Sequence, residues 1–204
     1  AKHVQFVDID WQNYDHQRHL DIVAQYKPKY CTVLDLLTKK QCKDLGMSYV
    51  DPDRIFKWAD ELSAHAQNVI IVPKYDCIAD IPERFMLGYS VQSSWGATPL
   101  PSDKFLGRRV HLLGGSWKRQ LGYIAAMDGA VVSLDNNYIH NVARFGVTNT
   151  PEGRQIHLRN MGFEHILKPR MLAILISLLN AKSYLASPED YTIDTTPDED
   201  EESY

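Results

Sequence analysis

Short apolar runs alternate with stretches whose apolar residues recur at helical spacing, and the alternation repeats along most of the chain. Val4 to Asp10 predicts a first strand, with Asp8 and Asp10 on the same side because strand side chains alternate. Asn13 or Asp15 then caps a helix whose apolar face carries Leu20, Ile22, Val23 and Tyr26, and Pro28 ends it. Tyr30 to Leu34 predicts a second strand closing on Asp35, followed by a Lys-rich loop. Asp51-Pro52-Asp53 has the cap-then-proline order of a helix start, and that helix runs to about Ala66. Val69 to Val72 is a third strand, followed by Pro73 and Lys74. Phe85 to Val91 is a fourth, carrying Gly88, Tyr89 and Ser90. The stretch from Gln92 to Asp103 has no helical period and predicts an ordered loop over one end of the domain.

The next stretch is the most informative. Val110 to Leu113 is a fifth strand that breaks at Gly114 and Gly115, a helical pattern runs from Ser116 to Met127, and Ala130 to Leu134 is a sixth strand ending on Asp135. Asn136 to Arg159 predicts a long polar loop, and long loops in compact domains usually serve a site. Ile166 to Leu185 predicts a final helix, apolar nearly all round, which implies burial by the domain or by a partner.

Strands separated mostly by helices predict an α/β fold with a parallel sheet. The expected architecture is a parallel (β/α) barrel of the TIM type, compact or incomplete, because a full barrel takes roughly 250 residues and the chain has 204. An open doubly wound sheet is the alternative. The domain is expected to span residues 1–188, and residues 189–204 form an acidic tail expected to be disordered.

Charge and composition alter this picture in two respects. The formal net charge is -4, yet from Glu189 onward there are eight acids and no Lys or Arg, so the part before them carries about four net positive charges. A mildly basic body permits a nucleic-acid partner without demanding one. The three cysteines, Cys31, Cys42 and Cys77, have no metal-ligand spacing and cannot all pair, so neither a disulfide framework nor a Cys-rich zinc site is expected. No apolar run reaches bilayer length and the start lacks a signal-peptide layout, so a cytoplasmic protein with no membrane partner is expected.

Candidate chemistry gathers where strands end. Asp8, Asp10, Asp35 and Asp135, with Asn136 beside the last, sit at expected strand ends, and in a parallel barrel those ends converge. Neighbouring carboxylates there separate in pKa, so that one acts as base or nucleophile while another holds hydrogen bonds. The structural alternative for each is a helix cap or a turn. Gly114-Gly115 ahead of a helix is a candidate phosphate cradle, or plain turn chemistry. Lys118, Arg119 and Arg144 are candidates for a nucleic-acid backbone, or solvated surface. His111, within a strand, reads as a hydrogen-bonded core histidine, while His140, His157 and His165 lack metal spacing, so no metal is expected. Tyr89, Trp95 and Tyr138 are candidates to stack on a base, with core packing the alternative for Tyr89.

These residues resemble a known family. Val110-His-Leu-Leu-Gly-Gly, a helix, and Gly129-Ala-Val-Val-Ser-Leu-Asp135 are similar to the last two barrel strands of tRNA-guanine transglycosylases, in which a Leu-Gly strand end and a helix precede the strand with the nucleophilic aspartate. Phe85 to Tyr89 resembles their glycine-ended strand beside the base, and Ile70 to Lys74 the strand before it. The similarity is stronger to phage and bacterial relatives that insert 7-deazaguanine derivatives into DNA, and it spans Val4 to Gly146. Two features depart from the family: the Cys-x-Cys-x-x-Cys plus His zinc site and the two opening barrel strands have no counterpart.

The resemblance implies a pentosyltransferase in which Asp135 is the nucleophile, Asp8 or Asp10 a second catalytic aspartate and Asp35 the base-recognising one. Gly88, Tyr89, Gly114, Gly115, Asn136 and Tyr138 would line the substrate site. Its partners would be DNA or RNA containing the target guanine and a 7-deazaguanine base, with no dissociable cofactor and with the final helix, a second copy or a partner chain completing the barrel. A phosphosugar-binding barrel enzyme using Gly114-Gly115, or a non-catalytic nucleic-acid-binding or assembly protein on the same fold, are the competing readings.

Overall fold

Six short strands lie side by side in the order in which they occur along the chain: β1 (Phe6–Val7), β2 (Tyr30–Thr32), β3 (Asn68–Ile71), β4 (Met86–Ser90), β5 (Val110–Leu113) and β6 (Val131–Leu134). The structure is a computed structural model and describes residues 4–11, 13–91, 96–135, 138–152, 154–163 and 169–186. Every neighbouring pair is parallel. A doubly wound sheet reverses its strand order part-way to place helices on both faces. Here the order never reverses, so successive right-handed crossovers put the helices on one side and the sheet curls into a half-barrel. That removes the doubly wound alternative.

The helices form where local chemistry satisfies their free amides. Asp15 accepts from the Arg18 amide and starts α1 (His16–Tyr26), which ends on Lys27 in the left-handed region at φ 45°. The stretch expected to be a Lys-rich loop contains α2 (Lys39–Asp44), started by a capping box in which Thr38 and Gln41 bond each other's backbone. Asp51 caps α3 (Pro52–Ser63) and Ser116 caps α4 (Trp117–Ala126).

Strand alternation divides the apolar residues between two layers. Cys31, Ile71, Leu87 and Leu112 face the helices, where they pack with Val23, Ile55 and Leu62. Ile70, Val72 and Met86 face inward, joined by Phe6, Tyr30 and Leu113, and form the small core of the half-barrel itself.

One further expectation needs correcting. The long polar loop after Asp135 contains α5 (Tyr138–Ala143) and an antiparallel hairpin of β7 (Val147–Asn149) and β8 (Gln155–His157). The hairpin lacks an apolar alternation because it docks through hydrogen bonds onto the final helix, α6 (Pro169–Ala186). Thr148 Oγ1 donates to the Ala173 carbonyl at 3.2 Å, the Asn149 amide donates to Ser177 Oγ at 3.0 Å, and Asn180 donates to the Asn149 carbonyl at 2.7 Å. That helix is not buried all round by the domain: Ala173 and Ser177 are buried, whereas Met171, Leu175, Leu178, Leu179 and Leu185 are exposed. Among the described residues no helix is long and apolar enough to cross a membrane. The acidic tail lies outside the described residues.

Candidate functional site

All six strands contribute to one cavity of about 570 Å³ at their carboxyl ends. Asp8 comes from the end of β1, Thr32 and Asp35 from β2, Lys74 from β3, Ser90 from β4, Gly114 from β5 and Asp135 from β6. Convergence follows from topology, since parallel strands in sequential order bring their carboxyl ends to one rim while the loops beyond remain free to vary.

Each acidic group is held differently. Asp8 Oδ1 accepts from Thr32 Oγ1 at 2.7 Å and from the Ile9 amide at 2.9 Å, which ties the end of β1 to β2. Asp35 faces the ammonium of Lys74, with 3.7 Å between Oδ2 and Nζ, and the isolated bridge of Leu36 with Pro73 aligns the two loops. Lys74 is buried and also donates to the Gly96 carbonyl, while Gln41 Nε2 donates to the Lys74 carbonyl at 2.7 Å. Burial pushes Asp35 up to about 6; the Lys74 ammonium pulls it down and the Asp8 carboxylate pushes it up further. Burial likewise lowers the Lys74 ammonium, and Asp35 opposes that.

Asp135 is anchored from both sides of its own backbone. Its amide donates to the Leu112 carbonyl at 3.0 Å, and its Oδ1 accepts from the Gly114 amide at 3.0 Å. Gln120, fully buried on α4, donates from Nε2 to the carbonyls of both Gly114 and Asp135, at 2.9 and 2.7 Å. His111 Nε2 lies 3.6 Å from Asp135 Oδ1. The cavity thus presents four carboxyl groups, three at strand ends and a fourth, Asp44, on α2 paired with Lys40, and one ammonium, with Trp11 among its lining residues. Such a set can accept N–H groups, hold or release a proton, and offer a carboxylate oxygen to an electrophilic carbon.

The model of DUF6610, a family of unknown function, matches residues 1–172. The chain belongs to DUF6610. No curated protein matches it. The stretch of this DUF6610 chain that matches takes in every cavity-lining residue named above.

Of the residues expected to form the site, the DUF6610 chain brings Asp8, Asp35, Gly114 and Asp135 together. Asp10 is outside the cavity lining: its carboxylate accepts from the Asn13 amide and side chain, at 3.3 and 3.2 Å, as a turn cap does. Of the two, the described cavity takes in Asp8. Gly88 is inward-facing but lies beneath the cavity, where a Cβ would stand 2.6 Å from Val72 Cγ2; it serves packing in the inner core. Tyr89 faces the other way and is core: its hydroxyl donates to the Leu100 carbonyl at 3.1 Å and its ring meets Phe105 edge-on at 5.0 Å. Gly115, at φ +78°, turns the chain against Val91, where a Cβ would stand 2.6 Å from Cγ1.

The Gly114 amide is already bonded to the Asp135 carboxylate, so this turn binds an anion of its own rather than presenting an empty phosphate cradle. Lys118 and Arg119 lie on the first turn of α4, half-buried beside that turn, and Arg144 is exposed just after α5. Asn136, Trp95 and the side chain of Tyr138 lie outside the described residues. His111 is the expected core histidine, hydrogen-bonded through Nδ1 to Ser133 Oγ at 2.8 Å. Among the described residues no group of three or more His, Cys, Asp or Glu is placed to hold a metal ion.

Sequence reading missed Lys74, Gln120, Thr32 and Trp11 as parts of the site. Lys74 follows Pro73 at a strand end, where a lysine reads as solvated, and its burial beside Asp35 leaves no local mark. Gln120 lay within a helical pattern where glutamine reads as surface, and nothing local marks it as buried.

Proposed function

We propose that this chain is a base-exchange transglycosylase, a pentosyltransferase that replaces guanine in a polynucleotide with a 7-deazaguanine derivative through a covalent aspartyl-sugar intermediate. One observation carries the reading: Asp8, Asp35 and Asp135, from strands far apart in sequence, line a single cavity of about 570 Å³, ample for a purine. Those are three positions that the resemblance to tRNA-guanine transglycosylases assigns to chemistry. The half-barrel is then an incomplete barrel of the TIM type, and its substrate, DNA by the closer resemblance and RNA otherwise, places the enzyme in the cytoplasm.

In this reading an oxygen of Asp135 bonds to the anomeric carbon as the bond from that carbon to guanine breaks. The electron pair leaves with guanine, which takes a proton from Asp8. The incoming deazapurine gives its N–H proton to Asp8 and attacks the same carbon, and the electron pair of the sugar–Asp135 bond returns to the carboxylate. Asp35, ionised, accepts from the N–H edge of the base, while Lys74 beside it donates to the neighbouring carbonyl oxygen. Because the reacting carbon lies within a stacked strand, the nucleotide turns out into the cavity, and Trp11 at its lining offers a stacking surface. A second copy or a partner chain covers the open side of the half-barrel. The phosphosugar alternative is disfavoured because the Gly114 amide is occupied by Asp135.

Mass spectrometry of nucleosides from DNA and RNA incubated with the chain and isotope-labelled guanine tests the proposal. Incorporation of label, with a protein–nucleic acid adduct that disappears in Asp135→Asn, is the expected outcome. Incorporation that persists in Asp135→Asn, or no incorporation into either polymer, would overturn it.

A further inference from the structure

The imidazole behind Asp135 is held with more constraint than core packing requires. His111 is only 2% exposed and points into the half-barrel. Its ring stacks on Phe6, with 5.1 Å between centroids and 16° between planes, and meets Tyr30 at 6.0 Å. Its Nδ1 lies 2.8 Å from Ser133 Oγ, in the register pair that joins β5 to β6. Its Nε2 has no hydrogen-bond partner although it is buried, and it lies 3.6 Å from Asp135 Oδ1. A histidine serving packing alone would have both nitrogens satisfied or neither buried, because an unpaired buried polar atom is a standing cost.

We propose that His111 is a positioning residue for the nucleophile: with the Gly114 amide it engages Oδ1 of Asp135, so that Oδ2 is the oxygen that attacks the sugar. The assignment rests on the transglycosylase reading of Asp135. When the Ser133 hydroxyl donates to Nδ1, the ring hydrogen resides on Nε2, 3.6 Å from the carboxylate. A rotation of the carboxylate by less than an ångström at Oδ1 closes the gap to hydrogen-bond length. Two donors on Oδ1 then fix the carboxylate plane and leave the lone pairs of Oδ2 for the anomeric carbon.

The same bond assists the return step. As the deazapurine attacks, the bond from the anomeric carbon to Oδ2 breaks and its electron pair spreads over the carboxylate. The developing charge on Oδ1 meets two N–H groups already in place. No proton leaves His111 in either step; the mobile proton travels between the bases and Asp8.

The test uses the full chain with labelled guanine and single-stranded DNA. His111→Ala is expected to lower kcat about 100-fold, the usual effect of misplacing a reacting group, with KM for DNA unchanged. His111→Gln, which keeps an N–H donor, is expected to recover about tenfold of that loss, and added imidazole to raise the rate of His111→Ala. An unchanged kcat in His111→Ala overturns the assignment, and so does a rate loss accompanied by loss of folding that neither Gln nor imidazole repairs. Absence of exchange by the unaltered chain into both DNA and RNA overturns the transglycosylase reading and this assignment with it, whereas exchange by the unaltered chain together with an unimpaired His111→Ala overturns this assignment alone.

Discussion

An ammonium and a carboxyl group that face each other on a cavity wall set each other's charge, and buried Lys74 with half-buried Asp35 is such a pair. Burial pushes Asp35 up to about 6 although Lys74 pulls it down, so the carboxyl is largely ionised at neutral pH but loses its charge under mildly acidic conditions. Recognition of an N–H edge needs the ionised form, so guanine affinity should rise with pH through about 6 and level off above it. Replacing Lys74 by Met removes the group that lowers Asp35. The rise should then move to higher pH, with weaker guanine binding at pH 7, as read by calorimetric titration across pH 5 to about 9. A rise that stays in place or moves to lower pH would show that Lys74 does not govern this carboxyl. The linkage to stability has the opposite sense to that of a salt-bridged carboxylate: Asp35 is protonated in the folded chain and ionised in the unfolded chain between 3.8 and about 6, so its contribution to stability declines as pH rises through that window.

At the scale of elements, the site depends on how α4 is fastened to the ends of β5 and β6. Gln120 is the fastener, with its amide bonded to the Gly114 and Asp135 carbonyls across the strand gap. Gln120→Leu keeps the volume and leaves two carbonyls without that donor, so it should cost about 2 kcal/mol in urea unfolding and reduce guanine exchange further than the loss of folded protein explains. Equal stability in the variant would show that the two bonds have no net worth. Gln120 also marks the limit of sequence reading. The six strands were legible because their apolar runs are short and five of them end at Asp, Gly or Pro, and α1, α3 and α4 because a capping residue opens each pattern. The carboxylates at positions 8, 35 and 135 were legible for the same reason, since they punctuate strands. What escaped depended on tertiary partners: Gln120 is buried by strand ends 6 and 15 residues away, Lys74 by Asp35, and the β7–β8 hairpin by polar bonds to α6. Polar residues buried by distant partners leave no periodic trace, and short α2 begins at a capping box within a run of lysines that reads as solvated loop.

For the whole molecule the governing quantity is where charge resides relative to the open end of the half-barrel. The full chain carries a net charge of -4, but the residues before Glu189 carry about four net positive charges, so the tail reverses the sign of the net charge. Lys118 and Arg119 stand on the first turn of α4, beside the turn that holds Asp135, and on the proposed reading they would meet the phosphates of a strand threaded into the cavity. Each phosphate neutralised on a single strand contributes about 0.7 to the slope of log affinity against log salt. Removing every residue after Pro188 should therefore tighten binding of single-stranded DNA at low ionic strength and leave it little changed at about 0.5 M salt, where the Debye length is short. Lys118→Ala with Arg119→Ala should act in the opposite sense and flatten the slope by about 1 to 2. Fluorescence anisotropy over a salt series reads both. A shortened chain that binds no more tightly at any salt concentration would mean that the tail's charge never reaches the binding face, and an unchanged slope in the double variant would place the strand elsewhere on the barrel rim.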